Sequence, residues 1–431
     1  MGTNGMKPCK TDGKGTDDSS MLKPVPVGGK MFGALAFAAV AAFGPTDPAT
    51  IWNREELYKV PKTWDNQGTF RGEVTPMWIE GEPYRGKPTR LFAFLGLPEG
   101  ASPSNRVPGI VLVHGGLGTA YPEWVRLWTR RGYAAITVDN CGQLPALGAD
   151  GKWIANPDGG PRGWGDEALK QVNESIGDQW MYHAIAGSVR AHSYLRSLDC
   201  VDTANIGVTG ISWGGFQTCI LAALDDRLAY AVPVYGCAFN YEPDGIMAED
   251  VVGAAGPEWS KMWDPVRFLP SARIPFLWVD GTNDHAFPLD AVMRSARLAA
   301  GESQFCTRLR MAHAHGAPGE APAEILAFAD HYARGGTDIV RVTSTDLDGD
   351  DLVVRFRTNG RRLARAELLW TCDGEGMKFF DRKWDARPIT DFKPDAGVVR
   401  VRLDSGTKQA VVNFIDEKGL IFSSRTVSKV R

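Results

Sequence analysis

Between residues 106 and 335 the chain alternates short apolar, β-branched runs with longer segments of helical periodicity. Residues 107–113 read as an apolar strand, 121–131 as a short helix and 133–139 as a second strand. From Asp178 to Leu198, the apolar residues Trp180, Ala184, Ile185, Val189 and Leu195 recur at roughly helical spacing. Strand 206–209, helix 213–224, strands 230–235 and 275–280, helix 289–300, strand 305–311 and helix 321–333 complete the series. Such alternation predicts a mostly parallel sheet flanked by helices, an α/β fold. Ahead of it, 72–80 and 87–96 read as antiparallel leading strands. After Gly335-Gly336 the helical period gives way to short alternating runs at 339–343, 352–357, 366–370, 398–403, 410–415 and 420–423. That spacing predicts an antiparallel β-sandwich of immunoglobulin or fibronectin type. The expected division is a leader over 1–45, an α/β domain over 46–335 and a β-module over 336–431.

Composition narrows the partners. A formal net charge of -3 over 431 residues, with no Lys/Arg clustering, argues against a nucleic-acid partner. The seven cysteines lack the C-x-x-C spacing of zinc clusters, and no metal or organic cofactor is expected. Residues 31–43 (MFGALAFAAVAAF) follow Lys23 and Lys30 and are too short for an ordinary membrane span, so no stable membrane insertion is expected. A basic flank, a short apolar centre and an Ala-x-Ala sequence fit a secretory signal, with translation starting at Met1 or Met21. The expected location is periplasmic or extracellular, or cytoplasmic if this run is a short helix instead.

Candidate chemistry centres on Gly210-Ile211-Ser212-Trp213-Gly214, which follows a β-branched run and opens a helix. This is the G-x-S-x-G arrangement, in which a strand delivers a serine onto a tight turn and small residues let strand and helix approach. Upstream, His114-Gly115-Gly116-Leu117-Gly118 follows the first core strand. A glycine-rich turn there brings backbone N–H groups to a developing oxyanion, making Gly115, Gly116 and Leu117 candidate donors beside the Trp213 amide. Downstream, Asp284 lies in the loop after strand 275–280, where an acid would orient a histidine. Asp280 competes with it from the strand end. His313 and His315 follow strand 305–311 in the order Ser, Asp, His; His315, with more loop behind it and a glycine after it, is preferred as general base, and His313 is the alternate.

These residues carry a family resemblance. Gly86-Lys87-Pro88-Thr89-Arg90, Val111-Leu112-Val113-His114-Gly115-Gly116, Asp178-Gln179-Trp180, Ile211-Ser212-Trp213-Gly214-Gly215, Gly281-Thr282-Asn283-Asp284 and the His-x-His-Gly ending lie within 46–335. That segment resembles the α/β-hydrolase superfamily, in its acetyl xylan esterase, dienelactone hydrolase and S9-peptidase-like branch. The resemblance implies a Ser212–Asp284–His315 triad and hydrolysis of an ester, foremost an acyl group on a carbohydrate. A dienelactone hydrolase proper would carry a cysteine where Ser212 stands, which moves the weight to serine esterases. The tail resembles the C-terminal β-module of PhoPQ-activated pathogenicity-related hydrolases.

Two long insertions are expected to shape specificity. Residues 141–177 carry Trp153 and Trp164, and 237–263 carry Phe239, Tyr241, Trp259 and Trp263; loops of this length are usually lids or binding loops. Trp153, Trp164, Tyr235, Trp259, Trp263 and His285 are the candidate substrate-binding residues, with a satellite core under the loops as the competing reading. The rival functions are an S9-like peptidase, which needs a gating domain larger than the leader supplies, and a non-catalytic carbohydrate-binding protein.

Overall fold

A computed structural model describes residues 45–65, 74–164, 166–336, 338–374 and 376–429. The expected secretory run at 31–43 lies outside the described residues. No helix among them is long and apolar enough to cross a membrane.

In chain order the first strands are β1 (Thr63–Asp65), β2 (Val74–Tyr84), β3 (Lys87–Gly96), β4 (Val107–Val113), helix α1 (Pro122–Thr129) and β5 (Ala134–Val138). A hairpin follows, β6 (Gln143–Leu147) and β7 (Trp153–Ala155), then helix α2 (Trp180–Ser197), β8 (Val201–Ile211) and helix α3 (Trp213–Leu224). Next come β9 (Ala231–Val234), helix α4 (Ala255–Trp263), β10 (Phe276–Gly281), helix α5 (Leu289–Leu298), β11 (Ser303–Arg308) and helix α6 (Ala323–Arg334). The tail contributes β12 (Arg341–Asp348), β13 (Asp351–Arg357), β14 (Leu363–Thr371), β15 (Trp384–Pro388), β16 (Val398–Arg402), β17 (Gln409–Asp416), β18 (Ile421–Ser423) and β19 (Val427–Ser428).

One sheet runs through most of the molecule in the order β1-β2-β3-β5-β4-β8-β9-β10-β11-β18-β17-β14-β15. Its centre, β5 through β11, is parallel, and β2 and β3 lead in antiparallel, as the sequence pattern predicts, with the short β1, which the pattern does not mark, added outside β2. A parallel sheet covered on both faces buries every side chain of its central strands, and β4 shows how. Val111 and Val113 enter one core with α2 and α3, while Ile110 and Leu112 enter the other with α1 and α6. The period of two divides a continuous apolar run between two cores.

Two boundaries shift in ways that matter. β8 is longer than the predicted 206–209. It reaches back to Val201, opposite Val107, and forward to Ile211, opposite Val234, so Ser212 follows the last paired residue directly. The polar Asp202–Asn205 end hid this extension, because its side chains bond locally and lie near the surface. β11 ends at Arg308, earlier than the predicted 311. Thr282 N–H closes the ladder on the Arg308 carbonyl at 3.0 Å, and Arg310 turns to φ +49° with its N–H on Thr282 Oγ1.

The tail folds as two antiparallel sheets packed face to face. Leu352, Val354, Phe356, Val399 and Val401 of β12-β13-β16 meet Leu368, Val412 and Phe414 of the long sheet in one core. Phe356 and Phe414 rings stand 4.4 Å apart. β18 pairs antiparallel with β11 through Phe305 and Ser423, joining the tail to the parallel sheet edge. Thr307 N–H donates to Ser423 Oγ at 2.7 Å and Asn413 Nδ2 donates to the Thr307 carbonyl at 3.0 Å across that seam.

Candidate active site

Four strand ends build the site. β4, β8, β10 and β11 stop on the same sheet edge, with Val113 level with Gly210 and Gly281 level with Arg308. Ligands in open α/β sheets bind at such carboxyl ends. The residues that follow are His114, Ser212, the Thr282–Asp284 loop and the histidine loop.

Ser212 sits on a strained turn at φ +59°, ψ −119°, a region few side chains occupy. The turn holds because its neighbours leave no alternative. A Cβ on Gly210 would lie 2.1 Å from the Gly214 carbonyl oxygen, and one on Gly214 would lie 2.0 Å from the Val113 carbonyl oxygen. Helix α3 is buried on every side, so the elbow has no room to relax outward.

His313, the alternate in the sequence reading, is the histidine that meets the serine. Its Nε2 lies 2.8 Å from Ser212 Oγ and its Nδ1 lies 2.6 Å from Asp284 Oδ2. The preference for His315 is therefore corrected. It assumed that more loop was needed, but β11 ends early enough for His313 to reach. Tyr235 fixes the choice: its hydroxyl donates to the Ala314 carbonyl and accepts the Ala314 N–H, pinning the residue between the two histidines. The Tyr235 ring also packs 4.3 Å from the His313 ring, with His285 at 4.6 Å.

Asp284 is buried, and its second oxygen, Oδ1, accepts the N–H groups of Ala286 at 2.9 Å and Phe287 at 2.8 Å. Oδ2 is left for the imidazole, the arrangement that orients a general base and stabilises its charged form. Asp280 takes another role. Its Oδ1 accepts the Gly281 N–H at 2.7 Å, Oδ2 has no partner among the described residues, and burial with Asp284 nearby drives its pKa well above the carboxylate range.

The glycine turn separates its candidate donors. The Gly115 N–H donates to His315 Nε2 at 3.1 Å, so it is not free for an oxyanion, and the expectation that it is a donor is corrected. The amides of Gly116 and Trp213 have no hydrogen-bond partner among the described residues. Leu117 sits at φ +61° with its side chain 70% exposed, and its carbonyl accepts Trp153 Nε1–H at 2.8 Å. His114 is wholly buried; its Nδ1–H donates to the Gly115 carbonyl at 2.8 Å and its Nε2 accepts the Asn140 N–H at 2.9 Å. Burial lowers its pKa to about 3.

The aromatic candidates divide by burial. Trp164 is half-buried and covers the turn, since a Cβ on Gly116 would meet its ring at 2.5 Å, and its ring packs edge-on to Trp213 at 5.1 Å. Trp153 is half-buried on the hairpin, and His285 is exposed. Trp259 and Trp263 belong to the core, which overturns their assignment as substrate rings. Trp259 packs on Trp213 at 5.4 Å, and Trp263 donates to Gln179 Oε1 at 2.8 Å. Both fill space under the loop, because a helix carrying large apolar rings buries them before it offers them to water. Tyr235 is buried as well and holds the histidine loop. The sequence reading missed Tyr121, Asn140 and Glu320, which contact the turn or its histidines; no motif signals them.

Among the described residues, Asp284, His285 and His313 form one group with donor atoms close enough for a metal ion. Both His313 nitrogens are already engaged, Nδ1 by Asp284 and Nε2 by Ser212.

Residues 85–248 match the family model "Acetyl xylan esterase (AXE1)". Acetyl xylan esterase 1 from Thermoanaerobacterium sp. JW/SL YS485 superposes with a TM-score of 0.52 at 15% identity, covering 67% of this chain and 94% of its own. Acetyl xylan esterase from Paenibacillus sp. R4 gives 0.51 at 18% identity, covering 68% and 99%. A protein of Emericella nidulans (strain FGSC A4 / ATCC 38163 / CBS 112.46 / NRRL 194 / M139) named "Probable dipeptidyl-peptidase 5" is 29% identical over 150 residues. That match spans 34% of this chain and 17% of the relative. The fold is the α/β-hydrolase fold of those two solved esterases, and residues 85–248 are similar to the acetyl xylan esterase family.

Proposed function

We propose that this protein is a serine carboxylic-ester hydrolase that removes acetyl groups from carbohydrate esters. The observation that carries the reading is His313 bridging Ser212 and Asp284 at 2.8 and 2.6 Å. In this mechanism Ser212 Oγ attacks the ester carbonyl while His313 Nε2 takes its proton. The Gly116 and Trp213 N–H groups receive the oxyanion, and His313 returns the proton to the departing alcohol. Water then repeats the sequence on the acyl-enzyme. A carbohydrate ester is favoured by the family match over 85–248. Trp153 and Trp164, half-buried beside the turn, are the rings we assign to a sugar. The basic-flanked apolar run at 31–43 favours export of such an enzyme.

The test is acetate release from acetylated xylo-oligosaccharides by the wild type and by Ser212→Ala, beside matched peptide anilides. Acetate release that Ser212→Ala lowers by at least about a thousandfold is the expected result. Anilide turnover exceeding ester turnover would replace this reading with the peptidase one, which the 29% identity over 150 residues favours. Trp153→Ala and Trp164→Ala are expected to raise KM on the oligosaccharide more than on p-nitrophenyl acetate.

A further inference from the structure

Next to the base stands a second histidine that the reaction scheme above leaves unused. We infer that His315 is a positioning residue: held by Glu320, its ring fixes the glycine turn so that the Gly116 N–H is presented to the oxyanion. The inference rests on the serine-hydrolase reading of Ser212.

Two peptide groups precede the Gly116 amide nitrogen, and each is tied down by different side chains. In the peptide between His114 and Gly115, the carbonyl accepts Asn140 Nδ2–H at 3.1 Å and the N–H donates to His315 Nε2 at 3.1 Å. In the peptide between Gly115 and Gly116, the carbonyl accepts His114 Nδ1–H at 2.8 Å. A trans peptide is planar, with its N–H opposed to its carbonyl. Tying the Gly115 carbonyl to the buried His114 ring therefore directs the Gly116 N–H away from that ring. His114 secures one end of this plane together with the Gly118 N–H at 3.3 Å, and among the described residues only His315 secures the N–H side of the plane before it.

His315 can accept at Nε2 only when its proton is on Nδ1. Glu320 Oε1, 3.0 Å from Nδ1, selects that tautomer. Packing fixes the ring plane, with Tyr121 at 4.5 Å and Trp124 at 5.8 Å between centroids. Gly115 itself is crowded, since a Cβ there would lie 3.3 Å from both His315 Nε2 and Ser212 Cβ. A small movement of the turn is thus felt at the serine. Misplacing a catalytic group by about 1 Å costs on the order of a hundredfold in rate.

The experiment uses the full chain with His315→Ala, His315→Gln and Glu320→Gln. It measures kcat and KM on p-nitrophenyl acetate, the inhibition constant of an alkylboronic acid that forms a tetrahedral adduct with the serine, and Tm. His315→Ala is expected to lose about tenfold to a hundredfold in kcat with KM within about twofold, and boronate affinity falls in parallel. His315→Gln, whose amide oxygen can accept the Gly115 N–H, recovers at least about fivefold of that loss. If His315→Ala does not fold, Glu320→Gln carries the test, with kcat and boronate affinity falling together by about threefold or more. Unchanged boronate affinity in a folded variant, a loss confined to KM, or no recovery by glutamine overturns the proposal. Failure of the ester reading shows separately, as wild-type protein that binds boronate but turns over no ester.

Discussion

Gly210 and Gly214 approach so closely that a methyl group on the first would stand 2.1 Å from the carbonyl oxygen of the second. That contact is backbone against side chain, with no flexible group to give way. Gly210→Ala is therefore expected to destabilise the protein by at least about 2 kcal/mol, the range of an overpacked core, and to lower activity further by moving Ser212. Thermal unfolding and p-nitrophenyl acetate turnover check both effects. A variant with wild-type Tm and rate would mean that the elbow is looser than this geometry.

His313 and His315 differ by two positions and by hydrogen-bond partners. His313→Ala is expected to lower kcat by at least about a thousandfold, well beyond the effect at His315, because it removes the proton acceptor from Ser212. Asp284→Asn should follow, since the amide cannot stabilise the imidazolium in the same way. Covalent labelling by a fluorophosphonate, timed on each variant, ranks the three losses. Equal labelling rates for His313→Ala and the wild type would remove His313 from the relay.

Acid should loosen the glycine turn through His114. Its pKa is lowered by burial to about 3 in the fold, against about 6.5 when unfolded. Below about 6.5 the unfolded chain binds a proton that the folded protein does not. The stability this site contributes is thus complete above about pH 6.5 and is lost as pH falls toward 3, by up to about 1.4 kcal/mol per pH unit. Urea titrations of wild type and His114→Gln between pH 7 and 4 isolate the contribution, and identical slopes would contradict it.

The tail is expected to unfold with the rest. Asn283, beside Asp284, donates to the carbonyls of Phe380 at 3.0 Å and Arg382 at 2.6 Å. Glu324 of α6 is buried, pairs with Arg308 at 2.5 Å and accepts the Ile421 N–H at 2.8 Å. Calorimetry should give one transition, and a chain ending at residue 335 should be insoluble or molten because it bares the β11 edge that β18 pairs with. Two resolved transitions would show the tail to be independent. Asn283→Ala should cost about 1–3 kcal/mol in stability by leaving two carbonyls unpaired.

The parts of this protein governed by local chemistry were legible in order along the chain. The alternation of β-branched runs and helical periods gave the parallel sheet, since burying both faces demands it. Glycines at 115, 116, 210 and 214 marked the turns where backbones meet, and Asp284 followed from its place after β10. Tertiary structure alone decided which histidine serves the serine. His313 and His315 are alike in their local sequence, and the choice depends on where β11 stops and on Tyr235, some eighty residues earlier, holding Ala314. The same holds for the aromatic residues. Whether a tryptophan fills a core, as Trp259 and Trp263 do, or covers the glycine turn, as Trp164 does, depends on what packs against it from distant segments, and periodicity does not carry that information.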